Sequence, residues 1–131
     1  MIVGEIGIDI YKGEPEKGAL LFHKDFRNTL TAEGYILLLN AWSTTTTMQP
    51  YDLMVESHQG GNSTMSTTGQ SIANNQVRFE ATWGASGSIV NINQFLLYSS
   101  YNMSRYHYQS VSQFTKEDGQ SLVVRWTITF S

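Results

Sequence analysis

His23, His58 and His107 are the side chains best suited to acid–base or metal chemistry near neutral pH, and they stand in three unrelated contexts. None has a second histidine at metal-ligand spacing. The chain has no cysteine, which removes thiolate zinc sites, disulfides and thiol nucleophiles. His107 alternates with Tyr106 and Tyr108 and reads as a strand-face residue. His58 stands beside Gly60-Gly61 and reads as a loop residue. No metal or cofactor is expected.

Paired carboxylates would suit glycoside hydrolysis. The candidates are Asp9, Asp25, Asp52, Glu56, Glu80, Glu117 and Asp118. Glu117 and Asp118 lie in a turn, where aspartate has a local backbone reason to be. Glu80 shares an outward face with Arg78, so a cross-strand charge pair accounts for it. The stretch GGNSTMSTTG has glycines but lacks the lysine and following helix of a phosphate-binding loop. With no nucleophile beside a base, no catalytic residue is assigned and the chain is read as non-enzymatic.

Tyr98, Tyr101, Tyr106 and Tyr108 form a tyrosine-rich stretch that could present a platform to sugar rings or to a protein partner. Trp83 and Trp126 instead alternate with polar residues, as core-facing strand residues do.

Such side chains need elements to hold them. Ile2, Gly4, Ile6, Ile8 and Ile10 alternate with Val3, Glu5, Gly7 and Asp9, predicting a strand over 2–11. KGEPEKG is turn chemistry, and ALLFHKDF then predicts the second strand of a hairpin. QVRFEATW alternates Val77, Phe79, Ala81 and Trp83 against Gln76, Arg78, Glu80 and Thr82. IVNINQFLLYSS loses phase near Asn93 and Gln94, which predicts a bulge or burial on both faces. RYHYQSVSQF is a polar strand. SLVVRWTITFS places Leu122, Val124, Trp126, Ile128 and Phe130 on one face. Asp118-Gly119 before it is a strong hairpin signal.

One helix is predicted near residues 31–42. Thr31 would be its N-cap, Leu30 and Tyr35 its hydrophobic staple, and Tyr35, Leu38, Leu39 and Trp42 its apolar stripe. The region of about 43–76 reads as a long polar loop, with YDLMVES as its only strand candidate. Its methionines Met48, Met54 and Met65 are adaptable contact residues. The whole is expected to be one mainly β domain over 1–131. Its architecture would be an antiparallel β-sandwich, jelly-roll-like or immunoglobulin-like, of about seven strands with one helix.

Composition bounds the partners. Of 131 residues only 15% are charged and the formal net charge is -3. No block of Lys and Arg exists to grip nucleic acid or anionic lipid. No signal peptide is read at the start, and no apolar run reaches the ~20 residues of a membrane span.

FRNTLTAEGYILLLNAW resembles the N-x-L-T-x-x-G-x-x-x-L-L helix of many small tailed-bacteriophage virion proteins. TKEDGQSLVVRWTITF resembles their closing L-x-V-x-W-x-I-x-F strand. NNQVRFEATW and INQFLLYSS resemble the two strands such proteins carry between. The pattern spans roughly residues 27–130, and MVESHQGG departs from the usual V-G-x-G start of the segment after the helix. The resemblance implies a virion structural protein located in the particle. Most directly it implies a head decoration or auxiliary capsid protein, with the major capsid protein, other virion proteins or further copies of itself as partners. The alternative is a tail or fibre module, with a glycan bound at the tyrosine-rich surface. The residues expected at an interface are Met48, Met54, His58, Met65, Tyr101, Tyr106 and Tyr108.

Overall fold

A computed structural model of the chain describes residues 2–15, 17–29, 51–73, 75–100 and 102–130. Within them lie nine strands: β1 Ile2–Lys12, β2 Leu20–Thr29, β3 Leu53–His58, β4 Gly61–Ser66, β5 Thr68–Ala73, β6 Gln76–Trp83, β7 Ile89–Ser99, β8 Asn102–Lys116 and β9 Gln120–Phe130. All pairings are antiparallel. Sheet A has the order β2-β1-β9-β6-β5 and sheet B the order β4-β3-β7-β8.

The alternating apolar residues of the sequence drive the two sheets together. Sheet A contributes Ile6, Ile8, Ile10, Phe79, Ala81, Trp83, Leu122, Val124, Trp126 and Ile128 to the core. Sheet B answers with Met54, Ile92, Phe95, Leu97 and Val111, and Tyr51 joins them. Burying one such large side chain contributes ~1.5–3 kcal/mol. β9 is the centre of sheet A, paired along its length with β1 on one side and β6 on the other. Trp83 and Trp126 are core residues, 5% and 0% exposed.

Three expectations are corrected. First, the described part of the region at 43–76, expected to be long loop, carries β4 and β5 besides β3, which falls on the strand candidate YDLMVES. GNSTMS and TGQSIA were hard to read as strands because both lie at sheet edges. An edge strand needs few apolar residues, and Ser and Thr are acceptable on a pleated, half-exposed surface. β4 and β5 are separated only by Thr67, where the chain passes from sheet B to sheet A. Thr67 secures the corner: its amide donates to Asp52 O at 2.9 Å and its hydroxyl to Tyr51 O at 2.6 Å. Such corners are how sandwiches close an edge.

Second, Asp118-Gly119 turns the chain tightly, with Gly119 at φ 86°, but the strands it joins do not pair. β8 pairs with β7 and β9 with β1 and β6, so the turn crosses between sheets. It is held by neighbouring loops, not by a hairpin ladder: Gly119 N donates to Ala85 O and Gly13 N to Gly119 O, both at 2.7 Å. Third, the strands number nine among the described residues, against about seven expected. The helix expected at 31–42 lies outside the described residues, as do Met48 and Tyr101.

The bulge expected near Asn93 is present. The β7–β8 register shifts between Ile89 and Ile92 and again between Ile92 and Gln94, and Asn91 takes φ 57°.

Candidate functional site

Because residues directly opposite in a ladder share a face, the registers give the outer surface of each sheet. The two surfaces differ in kind.

On sheet B, one row across β4, β3, β7 and β8 reads Ser66, Leu53, Tyr98, Tyr106. The next reads Thr64, Val55, Leu96, Tyr108, and the third reads Asn62, Ser57, Gln94, Ser110. These three rows contain no charged residue. Tyr108 is 52% exposed, while Leu53, Val55, Leu96 and Tyr98 are partly buried. The surface is neutral and made of tyrosine, aliphatic, hydroxyl and amide groups. Tyrosine provides large, rigid, amphipathic contact area at low entropy cost, and Ser and Asn add adaptable hydrogen bonds.

On sheet A, the outer face carries alternating charge across four strands. His23 of β2 lies opposite Asp9 of β1, and Arg125 of β9 lies opposite Glu80 of β6. His23 Nδ1 is 2.5 Å from Asp9 Oδ1, and its Nε2 is 3.0 Å from Asp25 Oδ2. Arg125 donates to Asp9 Oδ2 at 2.7 Å and to Glu80 Oε2 at 3.0 Å. Asp25, His23, Asp9, Arg125 and Glu80 thus form one chain of charge pairs. The cross-strand pair expected for Glu80 exists, and its partner is Arg125.

A shallow depression of about 120 Å³ adjoins this chain, lined by Thr68, Gln70, Arg78 and Glu80. Small-molecule sites usually enclose roughly 300–1,000 Å³ with a mainly apolar lining, so this depression is a poor substrate pocket. Among the described residues no group of His, Asp and Glu is arranged to hold a metal ion.

Inside the sandwich, Glu56 is wholly buried. His58 Nδ1 lies 2.8 and 2.7 Å from its two oxygens, Ser63 Oγ donates to it at 2.6 Å, and Trp83 Nε1 donates to Ser63 Oγ at 2.9 Å. A carboxylate orienting an imidazole is two-thirds of a hydrolytic triad. Here, though, the serine donates to the carboxylate and not to the imidazole, so no base activates it. The arrangement ties β3 and β4 of sheet B to β6 of sheet A.

The residues expected at an interface are therefore dispersed. Met54 is fully buried in the core, and Met65, opposite it, packs partly buried against the same core. Neither is a surface contact residue, because strand alternation turns both inward. His58 is the last residue of β3, held by Glu56, and not a loop residue. His107 does sit on a strand face, but on the inner one. It is 1% exposed with its ring against Tyr51 at 5.2 Å, and burial lowers its pKa to about 4. Tyr108 and the backbone position of Tyr106 fall together on the neutral face. The Asp9–His23–Asp25 group was missed, although its members were all candidates. The KGEPEKG turn offered the signal, since Asp9 and His23 are equally spaced about Glu16.

No protein-family model matches the chain, and no curated protein matches it. No helix among the described residues is long and apolar enough to cross a membrane.

Proposed function

We propose that the chain is a non-enzymatic virion structural protein, a head decoration or auxiliary capsid protein that docks on the assembled shell through the outer face of sheet B. The observation that carries this reading is the pair of rows Leu53–Tyr98–Tyr106 and Val55–Leu96–Tyr108, flanked by uncharged Ser, Thr, Asn and Gln. Interfaces favour aromatic residues such as tyrosine and disfavour charge at their centres. The opposite sheet, with its saturated charge pairs, suits water. The order of motifs shared with small tailed-phage virion proteins supports the choice of partner. β3 and β4, from the region 43–76, form half of this face.

Co-sedimentation with assembled shells tests the reading. Tyr108→Ser and Leu96→Thr are expected to weaken shell binding at least tenfold while the protein still melts cooperatively. A neutral interface also predicts little salt dependence, because there are few charges for ions to screen. Retained binding in both variants sinks the proposal.

A tail or fibre module that binds a glycan is the second reading, favoured by the same tyrosines beside amide and hydroxyl groups. Copy number separates the two: hundreds of copies per particle mean the shell, a few dozen or fewer the tail.

A further inference from the structure

We propose that Asp9, His23 and Asp25 form a proton-operated latch that holds the edge strand β2 on sheet A. Among the described residues β2 is the outermost strand of its sheet and pairs with β1 alone. Its outward residue His23 has a carboxylate at each ring nitrogen, Asp9 on β1 and Asp25 on β2 itself. An ionised carboxylate only accepts hydrogen bonds. Both ring nitrogens must then donate, which only the imidazolium can do. The ring is half exposed, at 50%, so solvent protons reach it.

The groups facing His23 decide the direction. From β1 come Asp9 and, one step along the outer face, Tyr11; from β2 itself comes Asp25; from β9 comes Arg125, which takes the other oxygen of Asp9. With the ring protonated, charges alternate from Asp25 to Glu80. With the ring neutral, one nitrogen lone pair faces a carboxylate and the alternation ends at the edge strand. The hydrogen bond to Asp9, then that to Asp25, raises the pKa of His23 above its ordinary value of 6.5. A raised pKa means that the latch is fully engaged below pH 6.5 and is lost as pH rises through the folded-state value.

Releasing β2 has a defined consequence. Its inward face carries Phe22, stacked on Phe114 of β8 at a centroid distance of 5.7 Å, and Phe114 stacks in turn on Phe95. The latch therefore governs the side of the sandwich where β2 and β8 meet. Thr67 closes the opposite side covalently, so β2 is the strand free to part.

The test is residue-resolved NMR of the whole chain between about pH 5.5 and 9, a range that spans histidine titration. The His23 ring signals are expected to titrate above 6.5. Protection of β2 amides, corrected for intrinsic exchange, is expected to fall at least threefold over the same titration, with β6 and β9 amides unchanged. In Asp25→Asn, an exposed change that leaves the core intact, both the ring titration and the loss of protection are expected to move to lower pH. His23→Gln is expected to abolish the pH dependence. A His23 titration at or below 6.5, or β2 protection that does not follow it, overturns the proposal. So does a pH dependence that survives His23→Gln.

Discussion

Ser63 donates its hydroxyl to the buried carboxylate of Glu56 at 2.6 Å while accepting the indole N–H of Trp83 at 2.9 Å. One small side chain on an edge strand thereby satisfies a polar atom from each sheet. Ser63→Ala leaves the Trp83 donor and one Glu56 oxygen without this partner. The expected cost is about 1–3 kcal/mol, the penalty of leaving buried polar groups unmet. Urea unfolding measures it, and a change under 0.5 kcal/mol would show that the bond is not part of the stable fold.

His107 makes stability depend on acid. Burial lowers its folded-state pKa to about 4 from an ordinary 6.5. Between those values the unfolded chain binds more protons than the folded one, so stability rises with pH there and is lost as pH falls from 6.5 through 4. The contribution is on the order of 3 kcal/mol across that window. His107→Phe should flatten the acid limb of a plot of unfolding free energy against pH. An unchanged limb would assign it to other groups.

Arg125 and Asp9 are distant in the chain but 2.7 Å apart in the fold, with side chains 21% and 12% exposed. Such shielding lifts the pair above the weak coupling of open surface bridges. A double-mutant cycle with Asp9→Asn and Arg125→Met should return a coupling of about 1–2 kcal/mol. Coupling near zero would mean that solvent screens the pair.

Trp126 is fully buried on the central strand, and truncation there removes the largest fully buried side chain among the described residues. Trp126→Ala should cost about 3–5 kcal/mol, a large share of a stability of roughly 5–15 kcal/mol. Deleting residues 121–131 takes away the strand between β1 and β6 and should abolish folding. A cooperative melt in that deletion is the contrary result.

Alternation made β1, β6 and β9 readable, because Ile6, Ile8 and Ile10, Phe79, Ala81 and Trp83, and Leu122, Val124 and Trp126 each recur at every second residue. The phase slip at Asn93 made the β7 bulge readable for the same reason. β4 and β5 were unreadable because each is an edge strand with a single large apolar residue, Met65 and Ile72, which leaves no apolar pattern. The turn at Asp118-Gly119 was readable, but the sheets it joins were not: turn chemistry reports local backbone shape, while pairing is decided by core packing at long range. The KGEPEKG turn hinted that Asp9 and His23 are neighbours, but only the hairpin register fixes the pairing, since a shift of one residue sends His23 to the opposite face.

The central position of β9 also sets the order in which the chain can assemble. β1 and β2 can zip locally around their turn, and so can β7 and β8. β1 and β6, however, do not meet until β9 comes between them, and its ladder joins Lys12 to Gln120 and Ile2 to Phe130. Closing so long a loop before any contact rewards it slows the search. Meanwhile the free edges of β1 and β6 stand open to strands of other chains. Concentration during synthesis and refolding, more than final stability, should therefore govern how much of this protein reaches its native form.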